Sequence, residues 1–120
     1  MMLSKRLKSF RYAFAGLFDL FKSQPNALIH LAATGVVIGA GFYFQLSKTE
    51  WCIVSLAIAL VFAAEAVNTA LEYLTDLVSP GYHPLAGKTK DASAAAVLIT
   101  AFGAVVVAIV IFLPKITALF

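Results

Sequence analysis

The sequence predicts an all-α membrane protein of one domain, residues 1–120: an N-terminal amphipathic surface helix followed by three transmembrane helices. Three observations carry this expectation. The chain is 62% hydrophobic and 12% charged, with mean hydropathy +0.93, whereas a soluble domain carries about a quarter charged residues. Two runs, Ala27–Leu46 and Ala92–Leu113, contain no Asp, Glu, Lys or Arg, and a third begins at Trp51. Lysine and arginine divide seven to two between alternate connections, as the positive-inside tendency requires.

The elements follow in order. Over residues 1–24, Leu3, Leu7, Phe10, Phe14, Leu17 and Phe21 recur at spacings of four and three. Lys5, Lys8 and Arg11 mostly occupy the other side. Such a helix lies on the anionic cytoplasmic leaflet with its aromatics in the acyl boundary. It is not expected to be a signal peptide, because its apolar stretch is short, is interrupted by Asp19 and lacks a convincing cleavage site. Pro25 with Asn26 breaks the chain before the first span, residues 27–46. At the helical rise that span covers roughly 30 Å, one hydrocarbon thickness. Gly35 and Gly39 stand in GxxxG register and allow a close helix approach. A short outer hairpin, with Tyr43 and Trp51 at the interface, leads to the second span, residues 51–78. The third, residues 91–113, ends before Pro114. Lys5, Arg6, Lys8, Arg11 and Lys22 precede the first span, and Lys88 and Lys90 lie between the second and third. The N-terminus and the 79–91 loop are therefore expected in the cytoplasm.

Composition also narrows the chemistry. The single Cys52 excludes an internal disulfide framework and a cysteine zinc cluster, and two histidines are too few for a histidine cage. A net charge of +3 is weak for nucleic acid.

The informative residues are the acids. Glu65, Asn68, Glu72 and Asp76 are separated by three and four residues, so they share one helix face. Glu65 follows a run of apolar or small residues, which sets it inside the bilayer or near its inner boundary. A carboxylate there costs several kcal/mol unless it is paired, hydrated or protonated. Polar contact between helices would explain one such residue. A stripe leading to a loop with Lys88, Lys90 and Asp91 points instead to a site. Magnesium takes oxygen ligands and needs one or two carboxylates besides substrate phosphates. A further carboxylate can act as general base toward a lipid hydroxyl, and phosphoryl transfer asks the protein mainly for positioning and charge compensation.

Gly81–Thr89, GYHPLAGKT, imitates a P-loop, but five residues rather than four separate Gly81 from Gly87, and Pro84 would deform the cradle. A glycine-bearing turn, two lysines and a helix start near Asp91 can still hold phosphates. Asp91 also suits a cap or a first-turn acid on that helix. His83 reads as a turn residue and His30 as an interfacial hydrogen-bonding residue.

The run Glu65-Ala-Val-Asn68-Thr-Ala-Leu-Glu72, then Asp76, Tyr82-His83 and Lys90-Asp91 with Ala94-Ala95-Ala96-Val97-Leu98-Ile99, resembles the signature of the prokaryotic diacylglycerol kinases, which include the undecaprenol kinases. Ser9–Leu17 is similar to that family's surface helix. The resemblance implies a homotrimer with active sites between neighbouring subunits at the cytoplasmic face, where ATP·Mg phosphorylates a lipid alcohol. It implies Glu65 as the base and Glu72 as metal ligand. It also implies Tyr12, Asn68, Glu72, Tyr82, His83, Gly87, Lys90 and Asp91 around the nucleotide, with Asp76 in support. Where the family commonly has a second metal-binding glutamate, this chain has Gln24, which brings an amide oxygen but no charge. Asp19 lies too far back on the surface helix to replace it. Asn26 with Ile29-His30 looks more like the undecaprenol kinase branch.

Two other classes compete. A small oligomeric channel or proton-coupled transporter would need acids spread through the membrane depth, and here they cluster toward one end. A non-catalytic membrane adaptor using the basic helix would leave Glu65 unexplained.

Overall fold

The computed structural model describes residues 1–120 as four helices and no strand. These are α1 (Met2–Ser23), α2 (Pro25–Tyr43), α3 (Lys48–Val78) and α4 (Pro84–Thr117). The last three are long and apolar enough to cross a membrane. At 31 and 34 residues, α3 and α4 run about 46 and 51 Å, well beyond the roughly 30 Å hydrocarbon core. Part of each therefore stands outside it.

The joints explain where each helix begins. Gln24 is the only residue between α1 and α2; it is extended (φ −114°, ψ 109°), and Pro25 opens α2 at a position where its missing N–H costs nothing. That is why α2 starts at Pro25 rather than at 27. At its other end, Gln45 adopts the left-handed φ of 53°. The Leu46 N–H then bonds the Gly41 carbonyl (3.1 Å) and the Gln45 N–H that of Phe42 (3.3 Å), a Schellman closure built on glutamine instead of glycine. Ser47 caps α3: its hydroxyl accepts the Glu50 N–H (3.1 Å), while the Glu50 carboxylate accepts the Ser47 N–H (3.0 Å).

The last helix departs most from expectation. Its start was placed near Asp91, yet it begins at Pro84. Proline supplies the first-turn φ, and the His83 imidazole Nδ1 accepts the Leu85 N–H at 3.1 Å. A lone Gly87 within the helix costs only about 1 kcal/mol, too little to break it. The 79–91 loop shrinks to residues 79–83, and Asp91 is neither cap nor first-turn acid. The helix also runs through Pro114 to Thr117 instead of ending before the proline. This carries Lys115 to Glu50, 3.0 Å away.

Helices α3 and α4 form the main antiparallel pair, and α2 returns along α3. Toward the hairpin end, Leu46, Val54, Ile111 and Phe112 form an apolar cluster with Trp51 and Phe44 packed on it. The Trp51 ring fills the space where Gly41 lacks a Cβ, since an added Cβ would meet it at 2.5 Å. Helix α1 docks through its end: Leu20 is buried, Phe21 meets Phe62 edge-on at 5.8 Å, and the Tyr73 hydroxyl donates to Asp19 at 2.7 Å. The expected stripe from Leu3 to Leu17 stays uncovered. Only 13 of 120 residues are buried, too few for the chain to make its own core, so lipid or other subunits must cover the rest.

Candidate active site

At the end of the bundle away from the hairpin, the apolar interior gives way to a polar stripe on α3. Glu65, Asn68, Thr69 and Thr75 are buried there. Glu65 lies deepest in the stripe and is 2% exposed. Its main-chain carbonyl accepts from the Thr69 hydroxyl at 2.9 Å, and its carboxylate faces α2, where His30 Nε2 stands 3.1 Å from Oε1. That approach is an ion-pair distance but is off the line of a hydrogen bond, and Oε1 has no other partner. A buried carboxylate oxygen without an aligned donor is uncommon and points to a group that acts.

One turn on, Asn68 is fixed from two sides. The Ser93 hydroxyl on α4 donates to its Oδ1 at 2.7 Å, and its Nδ2 donates to Glu72 at 3.3 Å. The amide therefore aims the Glu72 carboxylate from a buried anchor. Further along, Lys90 and Asp76 pair at 2.6 Å across α3 and α4. The hydrogen bond that Lys90 donates to the Asp76 carboxylate raises the Lys90 pKa above the usual lysine value, so the cation persists. Glu65 and Asp76 are eleven residues apart, about 16 Å along the helix.

The sequence residues divide accordingly. Asn68, Glu72, Asp76 and Lys90 come together where α3 faces α4, while Glu65, on the same stripe of α3, turns its carboxylate to α2. Gln24 sits at the joint of α1 and α2. His83 spends its Nδ1 on capping its own helix. Tyr12, Tyr82, Gly87 and Asp91 are exposed and meet no part of the stripe by hydrogen bond within the chain. Ser93 and the Tyr73–Asp19 contact were not singled out from sequence, and His30, read there as an interfacial hydrogen-bonding residue, stands against the Glu65 carboxylate. A buried asparagine demands a partner, so a small polar residue on a facing helix was foreseeable in kind, but not as Ser93.

No three or more His, Cys, Asp or Glu side chains form a metal-binding group within the chain. The donor set nevertheless fits a magnesium carried on phosphates, because Glu72 offers a carboxylate held by one aligned donor and such an ion requires few protein ligands.

The profile of the prokaryotic diacylglycerol kinases matches residues 11–112, a range holding the whole stripe. The chain belongs to the prokaryotic diacylglycerol kinase family. It is 39% identical over 113 residues to an undecaprenol kinase of Bacillus subtilis, covering 94% of this chain and 92% of that one. It is 40% identical over 114 residues to a diacylglycerol kinase of Synechocystis, covering 94% of this chain and 65% of the longer relative. A diacylglycerol kinase of Haemophilus influenzae is 28% identical over 97 residues, 81% of this chain and 82% of its own. This diacylglycerol kinase family member is thus a lipid kinase of the membrane, and as a kinase it uses a nucleotide co-substrate.

Proposed function

We propose that the protein transfers the γ-phosphate of ATP, as its magnesium complex, to the primary hydroxyl of undecaprenol or diacylglycerol at the cytoplasmic face of the bacterial inner membrane. The observation that carries this reading is the sealed Glu65 carboxylate with its free Oε1, set deeper than a stripe ending in a charged lysine. A lipid hydroxyl arrives from the hydrocarbon side and a nucleotide from water; Glu65 and Lys90 stand toward those two sides.

Glu65 takes the proton of the alcohol as its oxygen forms the new bond to phosphorus. Glu72, aimed by Asn68, would hold magnesium together with the nucleotide phosphates, and Gln24 would add a neutral oxygen. When bound there, magnesium would offset the negative charge of the phosphates. Lys90, supported by Asp76, would compensate the remaining charge. Tyr12, Tyr82, His83, Gly87 and Asp91 would border the nucleotide, and their exposure in one chain is consistent with sites shared between subunits of a homotrimer. The uncovered stripe of α1, with Lys5, Lys8 and Arg11 opposite, supports a surface helix on the cytoplasmic leaflet.

The test is phosphate transfer from labelled ATP by purified protein in mixed micelles with each lipid. Glu65→Gln and Glu72→Gln are each expected to lower kcat by about 10²-fold or more, and removing magnesium to abolish transfer. Full activity in both variants would remove these assignments, and ion flux through liposomes without ATP would favour the channel class.

A further inference from the structure

We propose that His30 receives the proton that Glu65 takes from the lipid alcohol and passes it to water. This rests on Glu65 being the general base. A base that turns over must return to its ionised form, so each transferred phosphate leaves one proton to discharge. Glu65 is 2% exposed, and its own route to water is closed by the chain. The titratable side chain at its carboxylate is His30, with Nε2 3.1 Å from Oε1. That ring is 22% exposed in the single chain and stands in the second turn of α2, at the end of the bundle that carries Lys90, so it joins the sealed carboxylate to the surface of the chain at that end.

The other acids of the stripe and of the α1 contact are engaged elsewhere, and Lys22, Lys88, Tyr12, Tyr82 and Asp91 make no contact with the Glu65 carboxylate. On α1, Asp19 accepts from Tyr73. On α3, Glu72 accepts from Asn68 and Asp76 pairs with Lys90 of α4. The Glu65 Oε1 carries no aligned hydrogen bond, so a small rotation of the ring brings Nε2 into line without breaking another bond.

The step balances. An alcohol oxygen lone pair forms the bond to Pγ, the bond from Pγ to the β–γ bridging oxygen breaks, and that electron pair leaves on ADP. The alcohol proton moves to the Glu65 carboxylate, then to the lone pair of His30 Nε2, and the imidazolium so formed releases a proton to water. His30 touches neither substrate in this scheme; it is a positioning residue that acts through Glu65.

The test compares wild type, His30→Ala, His30→Gln and Glu65→Gln in the micelle assay, with and without added imidazole. His30→Ala is expected to lose about tenfold or more in kcat with the KM for ATP little changed. Imidazole should restore it saturably, entering the space the ring vacates. His30→Gln, which keeps an N–H but cannot accept the proton, should stay slow and unrescued, and imidazole should do nothing for Glu65→Gln. Wild-type kcat in His30→Ala or in His30→Gln, or His30→Ala that is slow and indifferent to imidazole, would overturn the relay. Those results beside an inactive Glu65→Gln would leave the base assignment standing. Full activity in Glu65→Gln would remove the base and the relay together.

Discussion

Ser93 supplies one hydroxyl to the site, yet that hydroxyl satisfies a buried amide which in turn aims Glu72. Replacing it with alanine leaves Asn68 Oδ1 without a donor, which costs about 1–3 kcal/mol. Ser93→Ala should therefore lower both the thermal midpoint and kcat, whereas Ser93→Thr should keep most of each. Gln24 is a sharper case, because in the proposed site its amide would bring no charge to the metal. Gln24→Glu should lower the magnesium concentration needed for half-maximal turnover; an unchanged magnesium titration would displace Gln24 from the metal. The acids of the stripe were readable from their three- and four-residue spacing, since one helix face is all that the reading required. Their partners were not, because His30 lies 35 positions from Glu65 and Ser93 on a different helix. Only the packing of α2, α3 and α4 decides those neighbours.

At the scale of elements, the ends of the helices hold the testable strain. Gln45 occupies the left-handed region, where glycine has no steric cost. Gln45→Gly should thus raise stability by up to about 1 kcal/mol, read as a higher unfolding midpoint at unchanged activity. The Ser47–Glu50 capping box precedes the apolar run that starts at Trp51. The Ser47 N–H, and then Lys115, hold the Glu50 carboxyl below the usual carboxylate range. A depressed folded-state pKa gives a contribution present at neutral pH and lost as pH falls through the acid range. Wild type should lose stability there faster than Glu50→Gln, a comparison that acid-dependent melting would make. The Ser-x-x-Glu spacing of that box was present in the sequence. The start of α4 was obscured, because Gly81, Pro84 and Gly87 all suggest a loop. In the fold, Pro84 and the His83 imidazole open a helix that carries Gly87 within it.

For the whole molecule, three helices long and apolar enough to cross a membrane were legible from hydropathy alone, since a bilayer imposes a length on any chain that crosses it. What covers those spans was not, because the same apolar surface serves lipid and a neighbouring helix equally. The protein mass of the assembly in detergent, by light scattering with the bound detergent subtracted, should come to three times 12.8 kDa; a monomer active in the same sample would refute shared sites. With Cys52 replaced by serine, labelling of a cysteine placed at Tyr82 by a membrane-impermeant thiol reagent should require permeabilised cells. The scarcity of interior residues has a consequence of its own. With so little of the polypeptide folded against itself, its melting temperature belongs as much to the surrounding amphiphile as to the chain. Two preparations in micelles of different tail length should therefore unfold at different temperatures, and a rank order of variants is comparable only within one of them.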